Sequence, residues 1–315
     1  MKSNLSLLNK LLKKIRNYSL ITFSLYCFTC STLATEIIET DKKQVAKKQS
    51  VLDTRVNSIQ SATSNPFAIS QHKQNYLMPF SYVSKPSPDN VKGLEGNIDP
   101  IEAKYQISVK FPLYLTTKDA SGVYFGFTAK SFWQVYNREV SKPFRETNYE
   151  PEVFYSWFNQ ISILGFKFNQ LQLGLNHQSN GKSNEFSRSW NRLYAAATFS
   201  DLDSFYYLRA WYRLPEEKKE TPTSTTGDDN PDITDYLGNV ELGYGTYINK
   251  VKLTGTIRNN LNLSDNKGSL ELNVSYPISQ RYELVAQYFN GYGDSLIDYN
   301  QHQQRFSIGM QLTFF

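Results

Sequence analysis

Cysteine is confined to Cys27 and Cys30. No disulfide, thiol nucleophile or cysteine zinc site can therefore form in the chain beyond residue 30. Beyond the first 34 residues there is also no apolar run long enough to cross a membrane as a helix. Histidine is scarce, at three residues. The net charge of +5 is deceptive as well. Lys2, Lys10, Lys13, Lys14 and Arg16 precede an apolar stretch from about Tyr18 to Leu33. Thr32-Leu33-Ala34 supplies small residues at a cleavage-site spacing, so residues 1–34 read as a secretory signal peptide rather than a retained anchor. Removing five basic and no acidic residues takes the charge from +5 to zero. The basic pI is then no argument for nucleic-acid binding.

Aromatics are abundant, with 22 Tyr and 20 Phe. An exported, aromatic-rich chain without helical spans suits a transmembrane barrel, although a soluble secreted β-sandwich shares much of that composition. Residues 35–74 are polar and aperiodic and read as a flexible periplasmic extension. Residues 75–315 alternate, with strands expected at 76–84, 103–115, 121–137, 149–160, 163–178, 188–199, 204–214, 234–246, 249–260, 267–276, 281–291 and 304–314. The expected fold is all-β: a twelve-stranded antiparallel transmembrane β-barrel with a flexible N-terminal extension.

Connector lengths are an independent check. Short turns at 116–120, 161–162, 200–203, 247–248 and 277–280 alternate with longer connectors. That is how periplasmic turns and outer loops sort in such barrels. The last strand alternates Phe306, Ile308, Met310, Leu312 and Phe314. Terminal Phe315 resembles a barrel assembly signal, one position out of phase.

Side chains of a strand alternate between faces. Leu171, Leu173 and Leu175 therefore share a face with His177 and Ser179, opposite Gln170, Gln172, Gly174 and Asn176. On the next strand Asn191 shares a face with Leu193, Ala195, Ala197 and Phe199. Three polar side chains thus converge on a wall that should be apolar, where polar groups are costly. Acyl transfer would use them: Ser179 as nucleophile, His177 as general base and then acid, Asn191 to orient the imidazole. The bland alternative is an interfacial histidine among polar rim residues.

His177-Gln-Ser-Asn-Gly-Lys-Ser183 and Ser187-Arg-Ser-Trp-Asn-Arg-Leu-Tyr194 closely resemble outer membrane phospholipase A. Pro143-Phe-Arg-Glu-Thr-Asn-Tyr-Glu-Pro151, Asp228-Asp-Asn-Pro-Asp-Ile-Thr234 and Gly291-Tyr-Gly-Asp-Ser-Leu-Ile-Asp-Tyr-Asn300 extend the match, from about Tyr76 onward. The resemblance implies a calcium-dependent phospholipase with A1 and A2 activity, acting on phospholipid and lysophospholipid in the bacterial outer membrane. It also implies activation by homodimerisation. The family's serine, histidine and asparagine fall on Ser179, His177 and Asn191, with the active site toward the outer leaflet.

By the same resemblance, a calcium ion at the dimer interface would take the carbonyl of Lys182, the hydroxyl of Ser187 and a contribution from Ser141 of the partner subunit. The backbone N–H of Gly181 would face the oxyanion. Asp229 matches a ligand of a second, monomer-associated calcium site, but Asn184 stands where that site has an aspartate.

Two motifs are decoys. Gly293-Asp294-Ser295-Leu296 spells a hydrolase signature that belongs after an early strand of an α/β fold. Asn180-Gly181-Lys182-Ser183 lacks the upstream glycine, the strand and the helix of a phosphate loop. His72 and His302 find no partner in the sequence pattern and are expected at the surface. The competing functions are a narrow porin or structural barrel without enzymatic activity, and a soluble secreted esterase.

Overall fold

Period-two alternation with one apolar and one polar face can close only if every strand edge is paired, because an open edge in lipid leaves backbone groups without partners. The computed structural model describes residues 69–86, 97–116, 120–163, 166–221, 223–224 and 226–312. The expected signal peptide, the extension up to residue 68, and Phe314 and Phe315 lie outside the described residues.

A two-residue strand β1 (Ser70–Gln71) precedes β2 (Asn75–Val83), β3 (Ile101–Leu115), β4 (Gly122–Trp133) and β5 (Phe144–Ile163). Then come β6 (Phe166–Ser179), β7 (Ser189–Ser200), β8 (Ser204–Arg213) and a one-turn helix α1 (Ile233–Leu237). The last strands are β9 (Val240–Ile248), β10 (Val251–Asn259), β11 (Gly268–Pro277), β12 (Tyr282–Gly291) and β13 (Gln303–Leu312). From β2 onward each strand pairs antiparallel with its sequence neighbour, and β13 pairs with β2. Twelve strands close into a barrel. Strand β1 continues β2 past a three-residue break, with Ser70 opposite Lys110 and Gln71 opposite Val109 of β3.

The outward positions carry Leu77, Phe80, Ile107, Leu173, Leu175, Leu193, Leu208, Ile257, Val274, Ile308 and Met310, all exposed. Leaving one such side chain in water costs roughly 1.5–3 kcal/mol. A belt of this extent therefore requires lipid around it, which excludes the soluble sandwich.

Inside, charges replace apolar packing. Arg145 bonds Glu102 at 2.9 Å and Asp298 at 2.6 Å, and Arg305 pairs with Glu102 at 2.9 Å. Asp294 receives Lys104 at 3.1 Å and Lys130 at 3.3 Å. Isolated, each of these buried charges would cost several kcal/mol; paired, they offset one another's desolvation.

Three expectations need correction. The turn expected at 161–162 lies inside β5, which begins at Phe144 rather than at 149 and stays paired with β6 through Ile163. His72 is not a surface residue: its Nε2 lies 2.7 Å from Glu152 Oε1, and its ring stacks on Phe154. The physical reason is that residues 70–73 run back along β3 into the lumen, where Lys73 also reaches Glu150 at 2.7 Å. The barrel thus begins before Asn75, inside the stretch read as extension. The strand expected at 234–246 begins only at Val240, because Ile233 and Leu237 are four apart and bury one helical face beside Leu296 and Tyr299. His302 is exposed, as expected, with its ring against Tyr292.

Candidate active site

The register of β6 and β7 sets His177 opposite Asn191 and Ser179 opposite Ser189. Leu173 and Leu175 on β6 and Leu193 on β7 are exposed, whereas Asn176, Arg192 and Tyr194 are buried. His177, Ser179 and Asn191 therefore belong to the outward face. His177 Nδ1 lies 2.9 Å from Asn191 Oδ1. An amide oxygen can only accept, so Nδ1 carries the proton and Nε2 keeps its lone pair. Ser179 stands two residues further along, opposite Tyr149 of β5. Among the described residues its hydroxyl makes no hydrogen bond, to the ring or to any other side chain. Such contacts are often long before substrate binds.

The turn beyond Ser179 is held by Asn180. Its carbonyl oxygen Oδ1 accepts the backbone N–H of Lys182 at 3.2 Å and of Arg188 at 3.0 Å, and its amide donates to the Phe186 carbonyl at 2.9 Å. Gly181 sits at φ +64°, the left-handed region that favours glycine. Among the described residues its N–H has no acceptor, which leaves it available to a developing negative oxygen. Asn180 to Ser183 form a turn between antiparallel strands, so the phosphate-loop decoy falls on the fold.

Ser187, half-buried, donates to Asp229 Oδ2 at 2.7 Å, and Ser189 reaches the same oxygen at 3.1 Å. A hydroxyl whose proton is committed to a carboxylate keeps its oxygen lone pairs for a cation, the oxygen-donor chemistry that calcium takes. Ser187 thus fits a calcium ligand. Lys182 is half-buried, its ammonium bonded to the Arg145 carbonyl at 2.8 Å and to Glu146 at 3.1 Å. Its side chain is therefore committed elsewhere than the outer face. Ser141 is exposed in the loop between β4 and β5. Asp229 also pairs with Lys219, so an ammonium already neutralises it. Asn184 is exposed, and among the described residues no three acidic or histidine side chains cluster as a metal site.

The sequence motifs outside the triad converge on one end of the barrel. The Leu296 N–H donates to Asn148 Oδ1 at 3.0 Å and the Ile297 N–H to Glu146 Oε1 at 3.1 Å, while Tyr299 bonds Asp232. Ser295 is buried against Asp298 at 2.8 Å, which makes the Gly293–Leu296 decoy structural. Asp294, in this loop, is nearly inaccessible. Burial alone would raise its carboxyl, but Lys104, Lys130 and Arg305 hold it well below the usual carboxylate range.

One contact was not legible in the sequence. Asn191 Nδ2 donates to Glu216 Oε1 at 3.1 Å. The segment carrying Glu216 has no periodicity, and Glu216-Glu217 reads as solvated charge.

A sequence model of the family described as Phospholipase A1 matches residues 52–312. The chain belongs to the phospholipase A1 family. A Klebsiella pneumoniae phospholipase A1 is 35% identical over 252 residues, 79% of this chain and 84% of that protein. Escherichia coli outer membrane phospholipase A superposes with a TM-score of 0.74 at 34% identity, over 82% of this chain and 96% of that one. It has also been solved as an asparagine-to-alanine active-site mutant. A Salmonella typhi outer membrane phospholipase dimer with bound calcium gives 0.71 at 34% identity, covering 79% of this chain and 93% of that chain. This phospholipase is therefore a bacterial outer-membrane β-barrel enzyme.

Proposed function

We propose that the enzyme hydrolyses the sn-1 and sn-2 acyl esters of phospholipids, and those of lysophospholipids, with Ser179, His177 and Asn191 on its lipid-facing wall. The observation that carries this reading is the 2.9 Å contact between His177 and Asn191 on the outward face that Ser179 shares. Ser179 Oγ attacks the ester carbonyl carbon as His177 Nε2 takes its proton. The tetrahedral oxyanion meets the N–H of Gly181. The intermediate collapses with its ester C–O bond broken, and His177 returns the proton to the departing glyceryl oxygen. Water, deprotonated by the same ring, then attacks the acyl carbon; the bond to Ser179 Oγ breaks, the ring returns the proton to that oxygen, and the fatty acid leaves. Asn191 keeps Nδ1 protonated throughout.

The carbonyl of Lys182, the hydroxyl of Ser187 and Ser141 of the partner subunit would hold calcium at a dimer interface. When bound, calcium adds positive charge beside the oxyanion. The calcium-bound dimer of the Salmonella typhi relative supports this part of the reading. Dimerisation along apolar walls would complete an acyl-chain groove beside each Ser179, so association controls activity. The lumen is crowded with paired charges and leaves a polar cavity of about 160 Å³. Nothing in it favours the porin.

The test is phospholipid hydrolysis by refolded protein, with wild type, Ser179→Ala and His177→Ala compared at equal folded fraction. Either substitution should lower turnover by roughly three orders of magnitude or more. Near-normal turnover in the Ser179 variant overturns the mechanism.

A further inference from the structure

Asparagine is a weak partner for a catalytic histidine. It fixes the ring, but brings no negative charge to the imidazolium that forms in the transition state. It can also turn over: with its amide reversed, Nδ2 would face the ring N–H, donor against donor. A site built on asparagine therefore needs something behind the amide that tells its two ends apart.

The loop after β8 supplies it. The Leu214 N–H donates to the Asn191 carbonyl at 2.8 Å, carrying the chain past the end of β7. Two residues later the half-buried Glu216 accepts from Asn191 Nδ2 at 3.1 Å. The next residue is fastened too, since the Asp228 N–H donates to the Glu217 carbonyl at 2.7 Å. Glu216 is thus held from both sides. The cations around it are engaged elsewhere: Arg213 pairs with Asp228 and Lys219 with Asp229. Among the described residues Glu216 makes no ion pair, and its carboxylate meets one side chain, Asn191.

We propose that Glu216 is a positioning residue of the triad, a carboxylate acting on His177 through the amide of Asn191. The inference rests on the triad reading above. An ionised carboxylate accepts and never donates, so it draws Nδ2 toward itself and turns Oδ1 to the ring. Its negative charge, held in no ion pair among the described residues and one amide away, also polarises the Asn191 carbonyl oxygen. Hydrogen bonds linked in a chain polarise one another in this way. The pair Asn191–Glu216 then does the work of a single aspartate, with the charge one hydrogen bond further from the ring.

The test exploits a reversal of sign. Glu216→Ala, Glu216→Gln, Asn191→Asp and the double variant Asn191→Asp/Glu216→Gln are assayed as refolded full-length chain in phospholipid–detergent micelles, with Ser179→Ala as control. Heat-modifiable gel migration confirms that each barrel is folded. Glu216→Ala should lower kcat on the order of ten-fold or more, with KM within about two-fold. Glu216→Gln keeps an acceptor but loses the charge, so it should lower kcat less. Asn191→Asp sets two carboxylates against each other and should be poorly active; adding Glu216→Gln provides a donor and should raise its kcat several-fold. A structural role for Glu216 gives the same direction of effect in both backgrounds. Equal direction, or unchanged kcat in Glu216→Ala, overturns the proposal. Full turnover in Ser179→Ala would instead remove the triad itself, a separate failure.

Discussion

His177 and Asn191 face each other across β6 and β7, ring Nδ1 to amide Oδ1 at 2.9 Å, on the outward wall of a lipid-embedded barrel. The two strands fix this pairing, so the tautomer of His177 depends on Asn191 rather than on substrate. Asn191→Ala should lower kcat by less than the roughly ten-thousand-fold that loss of a triad aspartate costs, and by less than loss of the serine or the histidine. Steady-state hydrolysis of a short-chain phospholipid in micelles checks this, and loss equal to that in Ser179→Ala would contradict it.

Ser187 donates to Asp229 and so keeps its oxygen lone pairs for a cation. Ser187→Ala should raise the calcium concentration for half-maximal activity about ten-fold or more, as removal of one oxygen ligand does. Chelation should abolish wild-type turnover, and added calcium should restore it. Calcium-dependent cross-linking of the two barrels gives a readout apart from hydrolysis, and an unchanged calcium requirement would rule out Ser187 as a ligand.

Gly181 holds a positive φ with room around it: an added Cβ would meet the Tyr149 ring at an ordinary 3.4 Å. The penalty in Gly181→Ala is therefore conformational, about 1 kcal/mol, and not a clash. The barrel should remain folded while kcat falls, because the N–H proposed to meet the oxyanion reorients. Parallel gel-shift and turnover measurements separate the two effects.

Asp294 is held below the usual carboxylate range by Lys104, Lys130 and Arg305. A depressed carboxyl adds stability above its unfolded value, near 3.8, and loses it as pH falls through the folded value. Asp294→Asn should cost about 3–5 kcal/mol near neutral pH, as breaking a buried pair does. The gap to wild type should persist down to about pH 4 and narrow below it. Unfolding midpoints measured across that range would show a constant gap if the charge were irrelevant.

The barrel itself was legible because its physics is periodic. Lipid outside and paired polar groups inside force a period-two pattern on every strand, so strand number, alternation of short and long connectors, and the shared face of His177 and Ser179 follow from the residues alone. Pairing of Asn191 with His177 followed from the length of the hairpin. What stayed hidden has no period. Residues 70–73 read as part of a polar tail, yet His72 and Lys73 find Glu152 and Glu150 more than seventy residues away. Residues 234–237 read as the start of a strand because they lie next to one, although the spacing of four between Ile233 and Leu237 suits a helical turn. Glu216 was invisible for the same reason as Lys219: a charged residue in an aperiodic loop declares its partner only once the loop is folded.

The bore of this barrel is crossed by paired charges at more than one level, from Lys73 against Glu150 to Arg145 bridging Glu102 and Asp298. On the proposed mechanism the substrate meets Ser179 not in this bore but on the outward face, within the membrane plane, and the encounter is governed by how molecules are packed and crowded in a two-dimensional sheet rather than by their concentration in the surrounding fluid.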